Sequence, residues 1–257
     1  MAQRPLRDFV ERSLREGRSP ESIAGRLSRH EKNVPSVSAD SIERFLKSVH
    51  GRKIEAHRAA LKRTRNRRKR RAKVAGLNDR VFIDARPKII ARRGRVGDAE
   101  ADFIVSGKSG KGILLTIADR KLRVSFLEKI LPVSIANVHR AFQRIKKRYP
   151  ELRTMTTDND IMFAHHRALA QTLGVKIYFC HPYHSWEKGT IENTNGAVRR
   201  AIPKGSDISK YTRHFIRAVE ARLNDRYMEC LQFATPQEML DRHRIRKERA
   251  AARRNRK

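Results

Sequence analysis

Three short apolar runs follow one another with no room for a helix between them, and this order limits what the chain can form. The runs cover residues 101–105, 112–118 and 124–130 and are separated by Gly, Lys and Arg. Their length and their β-branched content predict three strands, and their short connections predict an antiparallel meander. The chain is therefore expected to build a sheet from consecutive strands before its first long helix.

Helical and extended patterns alternate after the meander. Apolar residues recur at helical spacing over 134–149, and Pro150 ends that helix. A strand is predicted over 152–157, a helix over 164–173 and a strand over 175–180. With a further helix after the last strand, this order predicts an α/β fold. It fits a mixed five-stranded sheet with flanking helices, the architecture of ribonuclease H and its relatives.

The first fifty residues predict three short helices instead of strands. Ser19 and Ser38 are typical N-caps, and Gly17 and Gly51 are typical stops. The third pattern places four apolar residues on one face: Ile42, Phe45, Leu46 and Val49. An all-α helix-turn-helix domain is predicted, in which the third helix offers Arg44 and Lys47 to DNA. The alternative is a three-helix packing unit whose polar face contacts only solvent.

Positive charge is concentrated in two segments. The 257 residues include 60 Lys or Arg against 27 Asp or Glu, a formal charge of +33. Residues 52–73 hold twelve basic residues and one acid, and residues 242–257 hold nine and one. Neutralising phosphates releases counterions, so nucleic acid is the expected partner. The alternative, a solubilising or membrane-surface tail, lacks the apolar face that membrane binding requires.

These patterns divide the chain into four predicted segments. They are a helix-turn-helix domain at 1–51, a basic linker at 52–80, a ribonuclease H-like domain at 81–240 and a basic tail at 241–257. No apolar stretch approaches the roughly 18 to 20 residues that a membrane span needs, and no signal-peptide centre is present. We therefore expect no membrane partner and a cytoplasmic, nucleoid-associated protein.

Three carboxylates are placed where the predicted sheet would bring them together. Asp102 lies in the first strand, Asp158 ends the fourth, and Glu192 lies in the helix after the fifth. In a sheet of this order the first and fourth strands are neighbours, and the last helix delivers Glu192 from above. Converging carboxylates repel unless cations are bound between them. Two Mg²⁺ ions, about 3.5 to 4 Å apart, would satisfy them and serve phosphodiester chemistry. The alternative is that each acid is a solvated or capping charge.

The helix around Glu192 carries a stripe of polar donors. Lys188, Asn195 and Arg199 precede or follow it by four, three and seven residues, so they share its face. Such donors can hold the phosphates of a DNA strand beside the metal ions. The alternative is an ordinary solvated helix face.

A zinc site is disfavoured by the sequence. Cys180, His181 and His184 lie close together, but neighbours along a strand through Cys180 would point to opposite faces. A hard, oxygen-rich site does not need them.

Five segments resemble, in order and spacing, the core of bacterial transposases of the insertion sequence thirty family: GDAEADFI, LLTIADRKLR, TTDND, HPYHSWEKGTIENTNG and LNDRYMECLQFATPQEML. Thirty-three residues separate Asp158 from Glu192, the interval that this family uses in its Asp, Asp, Glu triad. The resemblance extends from about Asp98 to Leu240. SPESIAGRL followed by VSADSIERFL looks like the family's helix-turn-helix.

The resemblance implies a transposase that cuts transposon ends and joins them to target DNA by phosphodiester hydrolysis and transesterification. Asp102, Asp158 and Glu192 would be its catalytic residues and the ligands of two Mg²⁺ or Mn²⁺ ions. Double-stranded DNA would be the partner, bound by a homo-oligomer. Glu100 matches the acid that precedes the first catalytic aspartate in the family and is expected to be structural.

Three positions depart from the family pattern. Ala99 replaces a tryptophan, Asp160 a glycine, and Tyr227 a common proline. We expect Asp160 to fill a turn position instead of binding metal, because Asn159 and Asp160 both tolerate left-handed backbone. The alternative functions are a transposase-derived DNA-binding or regulatory protein without strand transfer, and a basic RNA-binding or chromosome-associated protein. Aromatic residues at only 6% argue against a base-stacking platform.

Overall fold

The computed structural model describes residues 4–56, 79–182 and 184–255. The chain forms two compact units, one of Met1–Asn66 with Asn224–Lys257 and one of Arg67–Leu223. Most of the basic segment at 52–73, and the last two residues of the basic tail, lie outside the described residues. The boundaries proposed for the functional domains stay predictions.

The elements follow the sequence closely. The helices are α1 (Arg4–Arg15), α2 (Pro20–Arg29), α3 (Ala39–Lys47), α4 (Lys88–Ala91), α5 (Ile135–Arg148), α6 (His166–Leu173), α7 (Gly189–Val198), α8 (Arg213–Asn224) and α9 (Pro236–Arg254). The strands are β1 (Asp98–Val105), β2 (Ile113–Asp119), β3 (Ser125–Ile130), β4 (Thr154–Thr157) and β5 (Lys176–Phe179). Short 3₁₀ turns cover Ile83–Ala85, Ile161–Phe163, Ser185–Lys188, Ile208–Lys210 and Glu229–Leu231. Within the described ranges, no helix has the length and apolarity needed to cross a membrane.

The five strands form one mixed sheet in the order β3-β2-β1-β4-β5. The first three strands pair antiparallel, and β1–β4 and β4–β5 pair parallel. The β2 strand is buried along its whole length, as expected for a strand next to the centre of a covered sheet. The predicted ribonuclease H-like sheet with flanking helices is confirmed, and so is the adjacency of the first and fourth strands.

One buried carboxylate fixes the start of β1. Asp119 accepts hydrogen bonds from the Gly97 N–H at 2.8 Å, the Leu122 N–H at 2.6 Å and the Tyr149 hydroxyl at 2.6 Å. Burial raises the pKa of Asp119, and these donors oppose the rise. Gly97 has a φ of +96°, and a Cβ there would lie 2.0 Å from the Glu151 carbonyl oxygen. The strand that carries Asp102 therefore begins at a position that only glycine fits.

The N-terminal helices pack as the sequence predicts, with one exception. Ser19 and Ser38 cap α2 and α3 by accepting the N–H groups of the third residues after them. Ile42 and Leu46 are buried in a shared core, but Val49 is 76% exposed. The placement of Val49 on the apolar face was wrong, because α3 ends at Lys47, where the Ser48 hydroxyl donates to the Phe45 carbonyl. The use of α3 as a DNA reader stays a prediction.

The C-terminal helix belongs to the same unit as these helices and is joined to them by charge. The Arg26 guanidinium makes two hydrogen bonds to Glu238, at 2.9 and 2.8 Å, and one to Glu31 at 2.8 Å. Arg18 and Arg26 both stack on the ring of Tyr227, with guanidinium carbons 3.8 and 4.7 Å from its centroid. Tyr227 therefore supplies a stacking surface between two arginines, a role that proline cannot fill.

We predict that Glu238→Ala destabilises the unit built from both chain ends by about 1 to 3 kcal/mol. The change removes the carboxylate that receives both Arg26 bonds and the N3 side chain of the α9 capping box. Chemical unfolding followed by circular dichroism would measure it. Glu248→Ala, an exposed acid of the same helix, is the matched control. Equal midpoints for the two variants would contradict the prediction.

Candidate active site

The two predicted aspartates meet at a single lysine. Asp102 lies in β1, and Asp158 follows the last residue of β4, its parallel neighbour. The Lys188 ammonium is 3.4 Å from Asp102 Oδ1 and 3.0 Å from Asp158 Oδ2. The sheet therefore brings both carboxylates within reach of one positive charge.

The lysine is far more buried than the acids that it contacts. Its side chain is 6% exposed, against 23% for Asp102 and 40% for Asp158. Burial acts to lower the pKa of Lys188, but the charges of Asp102 and Asp158 outweigh it, so the pKa is raised. Burial raises the pKa of Asp102, and the Asp158 charge adds to this rise, whereas Lys188 opposes it. The Lys188 ammonium thus favours the ionised form of Asp102, the less exposed of the two acids.

Helix α7 is held against β1 at two points. Glu100 Oε2 accepts the Ile191 N–H at 2.9 Å, and Asp102 Oδ2 accepts an N–H of the Asn195 side chain at 2.8 Å. The helix has no side-chain cap of its own, so Glu100 satisfies an N–H of its first turn. Glu100 is itself paired with the Arg120 guanidinium. Glu100 thus has the structural position expected of it.

A hydroxyl on the next strand completes the support of Asp102. Thr116 pairs with Asp102 across β1 and β2, and its hydroxyl donates to Asn195 Oδ1 at 2.8 Å. This bond turns the amide so that its N–H groups face the carboxylate. Asp102 Oδ2 therefore accepts from Asn195, whereas Oδ1 accepts the Phe103 N–H at 2.9 Å and faces Lys188.

Glu192 follows Ile191 in the first turn of α7 and is exposed. Among the residues that the structure describes, Asp102, Asp158 and Glu192 do not form a set whose ligand atoms all lie within 4.8 Å. The structure thus brings together the two aspartates and the helix of the third acid, with the Glu192 side chain in solvent.

The carboxylate pair fits a hard divalent cation. Its donors are carboxylate oxygens, the ligands that Mg²⁺ and Mn²⁺ prefer. The Lys188 ammonium shows that one cation can be held by both acids, at 3.4 and 3.0 Å. Asp102 and Asp158 could therefore hold a metal ion here, and the exposed Glu192 is the third ligand that the sequence predicts.

The turn after Asp158 has its own hydrogen bonds. The Asp160 N–H donates to Asp158 Oδ1 at 3.2 Å, and the Asp160 side chain accepts the Met162 N–H at 2.9 Å. Asp160 has a φ of −68°, so its backbone is not left-handed, but the residue does lie at a turn as expected. Its side chain caps the 3₁₀ turn Ile161–Phe163, which is a local structural use for the carboxylate.

The chain is similar to curated transposases over most of its length. The transposase for insertion sequence element IS4351 of Bacteroides fragilis is 39% identical over 241 residues, which cover 91% of this chain and 72% of that protein. The chain belongs to the insertion sequence thirty family of transposases. The transposase InsI for insertion sequence element IS30A of Escherichia coli is 32% identical over 93% of this chain, which spans 65% of the length of that relative.

The comparison with solved structures gives a weaker similarity than the comparison with curated sequences. The solved catalytic core domain of BIV integrase has a TM-score of 0.43 and 17% identity, and it covers 59% of this chain and 98% of its own. No protein-family model matches the chain.

The residues predicted to contact DNA lie in different surroundings in the structure. Lys188 lies between the aspartates, and Asn195 is bonded to Asp102. Arg199 is partly buried and donates to the Pro203 carbonyl at 3.3 Å. Arg44 and Lys47 are exposed on α3. Lys188 lies in the 3₁₀ turn before α7 and Asn195 lies on α7, and the spacing did not show that the first partners of both are carboxylates.

We predict that Lys188→Met increases the affinity of the DNA-free protein for Mn²⁺ by about tenfold, or about 1.4 kcal/mol. A metal ion binding to the parent displaces an ammonium from the two aspartates, and the variant has no such competitor. Calorimetric titration would measure the affinity. Lys204→Met, which removes an exposed lysine of the same unit, is the control. An unchanged or lower affinity for Lys188→Met would mean that the ammonium does not compete with metal.

Proposed function

We propose that the chain is a metal-dependent polynucleotidyl transferase that cuts the ends of a mobile DNA element and joins them to target DNA. Asp102, Asp158 and Glu192 are its catalytic residues and the ligands of two Mg²⁺ or Mn²⁺ ions. Two such ions, when bound, activate the attacking oxygen and stabilise the leaving oxygen of a phosphodiester. The observation that carries the proposal is the pair of aspartates from neighbouring strands sharing one cation, beside a helix held to one of them.

The chain's own residues prepare this reaction. Asn195 holds Oδ2 of Asp102 and leaves Oδ1 for the cation. Glu100 secures the first turn of α7, where Glu192 lies. Lys188 lies next to both acids, and with these acids holding metal its ammonium would be free to pair with a phosphate of the DNA strand. Double-stranded DNA is the substrate, and the chain acts on it as a homo-oligomer.

A second candidate function is a DNA-binding or regulatory protein without strand transfer. The salt bridges of Lys188 with both aspartates favour it, because a permanently neutralised pair would bind no metal. The family membership favours the enzyme. The two candidates differ in whether the parent protein cleaves DNA in the presence of Mg²⁺ or Mn²⁺.

We predict that Asp102→Asn, Asp158→Asn and Glu192→Gln each abolish metal-dependent cleavage of a duplex that carries the element's end. Duplex binding should be unchanged or tighter, because each change removes negative charge that would face phosphate. Gel assays of cleavage and of binding on the same duplex would measure both. Glu229→Gln, at an exposed acid, is the control. A variant that cleaves like the parent removes that residue from the triad, and a parent that binds without cleaving supports the regulatory alternative.

We predict different effects for the two groups of basic residues. Arg44→Ala or Lys47→Ala should reduce the preference for end DNA over random DNA by about 1 to 3 kcal/mol if the side chain hydrogen-bonds a base edge. Arg246→Gln, in the exposed basic part of α9, should weaken both DNAs equally and reduce the salt slope by about 0.9 for each phosphate that the variant leaves unneutralised. Fluorescence anisotropy over a range of salt concentrations would measure these effects. An unchanged preference in both α3 variants would mean that another element recognises the end sequence.

A further inference from the structure

A second cluster of ligand atoms lies between β5 and α7, outside the carboxylate pair. His181 follows β5 by two residues, His184 precedes the 3₁₀ turn Ser185–Lys188, and Glu187 lies within that turn. Across the described part of the chain, this is the one set of three or more His, Cys, Asp or Glu residues whose ligand atoms all lie within 4.8 Å. The cluster contains two imidazoles, unlike the all-oxygen pair of Asp102 and Asp158.

One carboxylate oxygen is the centre of the cluster. Glu187 Oε1 lies 3.0 Å from His181 Nδ1 and 3.5 Å from His184 Nδ1. Neighbouring ligands of a tetrahedral zinc ion, each bound at about 2.0 to 2.1 Å, are about 3.3 Å apart. Two of the distances between ligand atoms are therefore already close to those of a zinc site. The other oxygen of Glu187 accepts the His181 backbone N–H at 2.9 Å, which fixes the orientation of the carboxylate.

The His181 ring is oriented by two further contacts. Its Nε2 lies 2.8 Å from Asp84 Oδ2, and its plane stacks on Phe82 with 5.4 Å between centroids. A carboxylate that accepts the N–H of a ligand histidine is a common support of metal sites, because it sets the tautomer and makes the ring a better ligand. In that tautomer the lone pair of Nδ1 points at Glu187 Oε1, which has lone pairs only. The geometry therefore admits either a proton on Nδ1, which would donate to Glu187 Oε1, or a metal ion held between the two atoms.

We propose that His181, His184 and Glu187 bind one divalent transition-metal ion of the zinc class, with Asp84 orienting His181. Two imidazoles and one carboxylate are a ligand set that zinc uses, and water can complete the tetrahedron. The side chains of His181 and His184 are 32% and 43% exposed, so an ion can reach them from solvent. Such an ion would link His181, which follows β5, to the 3₁₀ turn that contains Glu187, directly before Lys188.

This site differs from the zinc set that the sequence disfavours. That set included Cys180, and its objection assumed a strand running through this residue. The strand β5 ends at Phe179, so strict alternation of faces does not apply to His181 and His184. Glu187, which the sequence pattern did not connect with the histidines, replaces the cysteine as the third ligand.

The test is Zn²⁺ binding to the full-length protein by competition with a chromogenic chelator, with excess Mg²⁺ present to occupy hard-oxygen sites. We expect the parent to bind one Zn²⁺ that Mg²⁺ does not displace, and His184→Ala and Glu187→Gln each to weaken it at least tenfold. His165→Ala removes an exposed histidine outside the cluster and should bind like the parent. Asp102→Asn should also bind like the parent, because the carboxylate pair is a separate site.

Co²⁺ provides a second measurement that does not depend on affinity alone. The parent loaded with Co²⁺ should show the visible absorption of a tetrahedral site, and His184→Ala should lose it, with circular dichroism confirming that the variant is folded. The proposal is overturned if the parent binds Zn²⁺ no more tightly than His184→Ala and Glu187→Gln do. A proton on His181 would then be the cation that holds the cluster together. That result would leave the proposed DNA chemistry untouched.

Discussion

The site depends on a match between the distance that β1 advances over two residues and the distance that α7 advances over four. Glu100 and Asp102 are two residues apart on β1, and their partners Ile191 and Asn195 are four residues apart on α7. Two residues of a strand advance about 6.6 to 6.8 Å, and four residues of a helix advance about 6 Å. Because these lengths nearly agree, both bonds form without distorting either element. A shift of α7 by one residue would break both bonds and rotate Glu192 by about 100° around the helix axis.

Electrostatics explains why this site is stable in a chain of such high positive charge. Burial and the nearby charge of Asp158 raise the pKa of Asp102, and Lys188 opposes this rise with an ammonium from the segment that leads into α7. These ion pairs also depend on the fold, because the lysine reaches both acids only when β1, β4 and α7 are in place. Lys188 is thus a structural residue and, in the proposed function, also the counter-ion that a metal ion would displace.

Local patterns predicted the sheet well because strands and helices of this unit are set by short-range periodicity. The adjacency of β1 and β4, and hence of Asp102 and Asp158, followed from element order alone.

The sequence could not predict the contacts that depend on hydrogen bonds and ion pairs between different elements. Lys188 was expected to face phosphate, since its spacing from Glu192 gives a helix face but not a partner on β1. Val49 was placed in the core because the pattern continued, whereas the Ser48 hydroxyl ends the helix before it. Glu187 was missed as a partner of His181 because a turn, not a helix or strand, brings them together.

The unit that contains α1, α2, α3 and α9 is built from the two ends of the chain. Glu238 on α9 is the main partner of Arg26 on α2, although 212 positions separate them in the chain. A ribosome makes proteins from the N-terminus, so the first helices emerge long before the helix that completes their packing. The sheet of Arg67–Leu223 is synthesised in full during that interval and can fold first. The helical unit, by contrast, gains the Arg26–Glu238 pairing only after α9 has been synthesised, so its packing is completed later than that of the sheet can be.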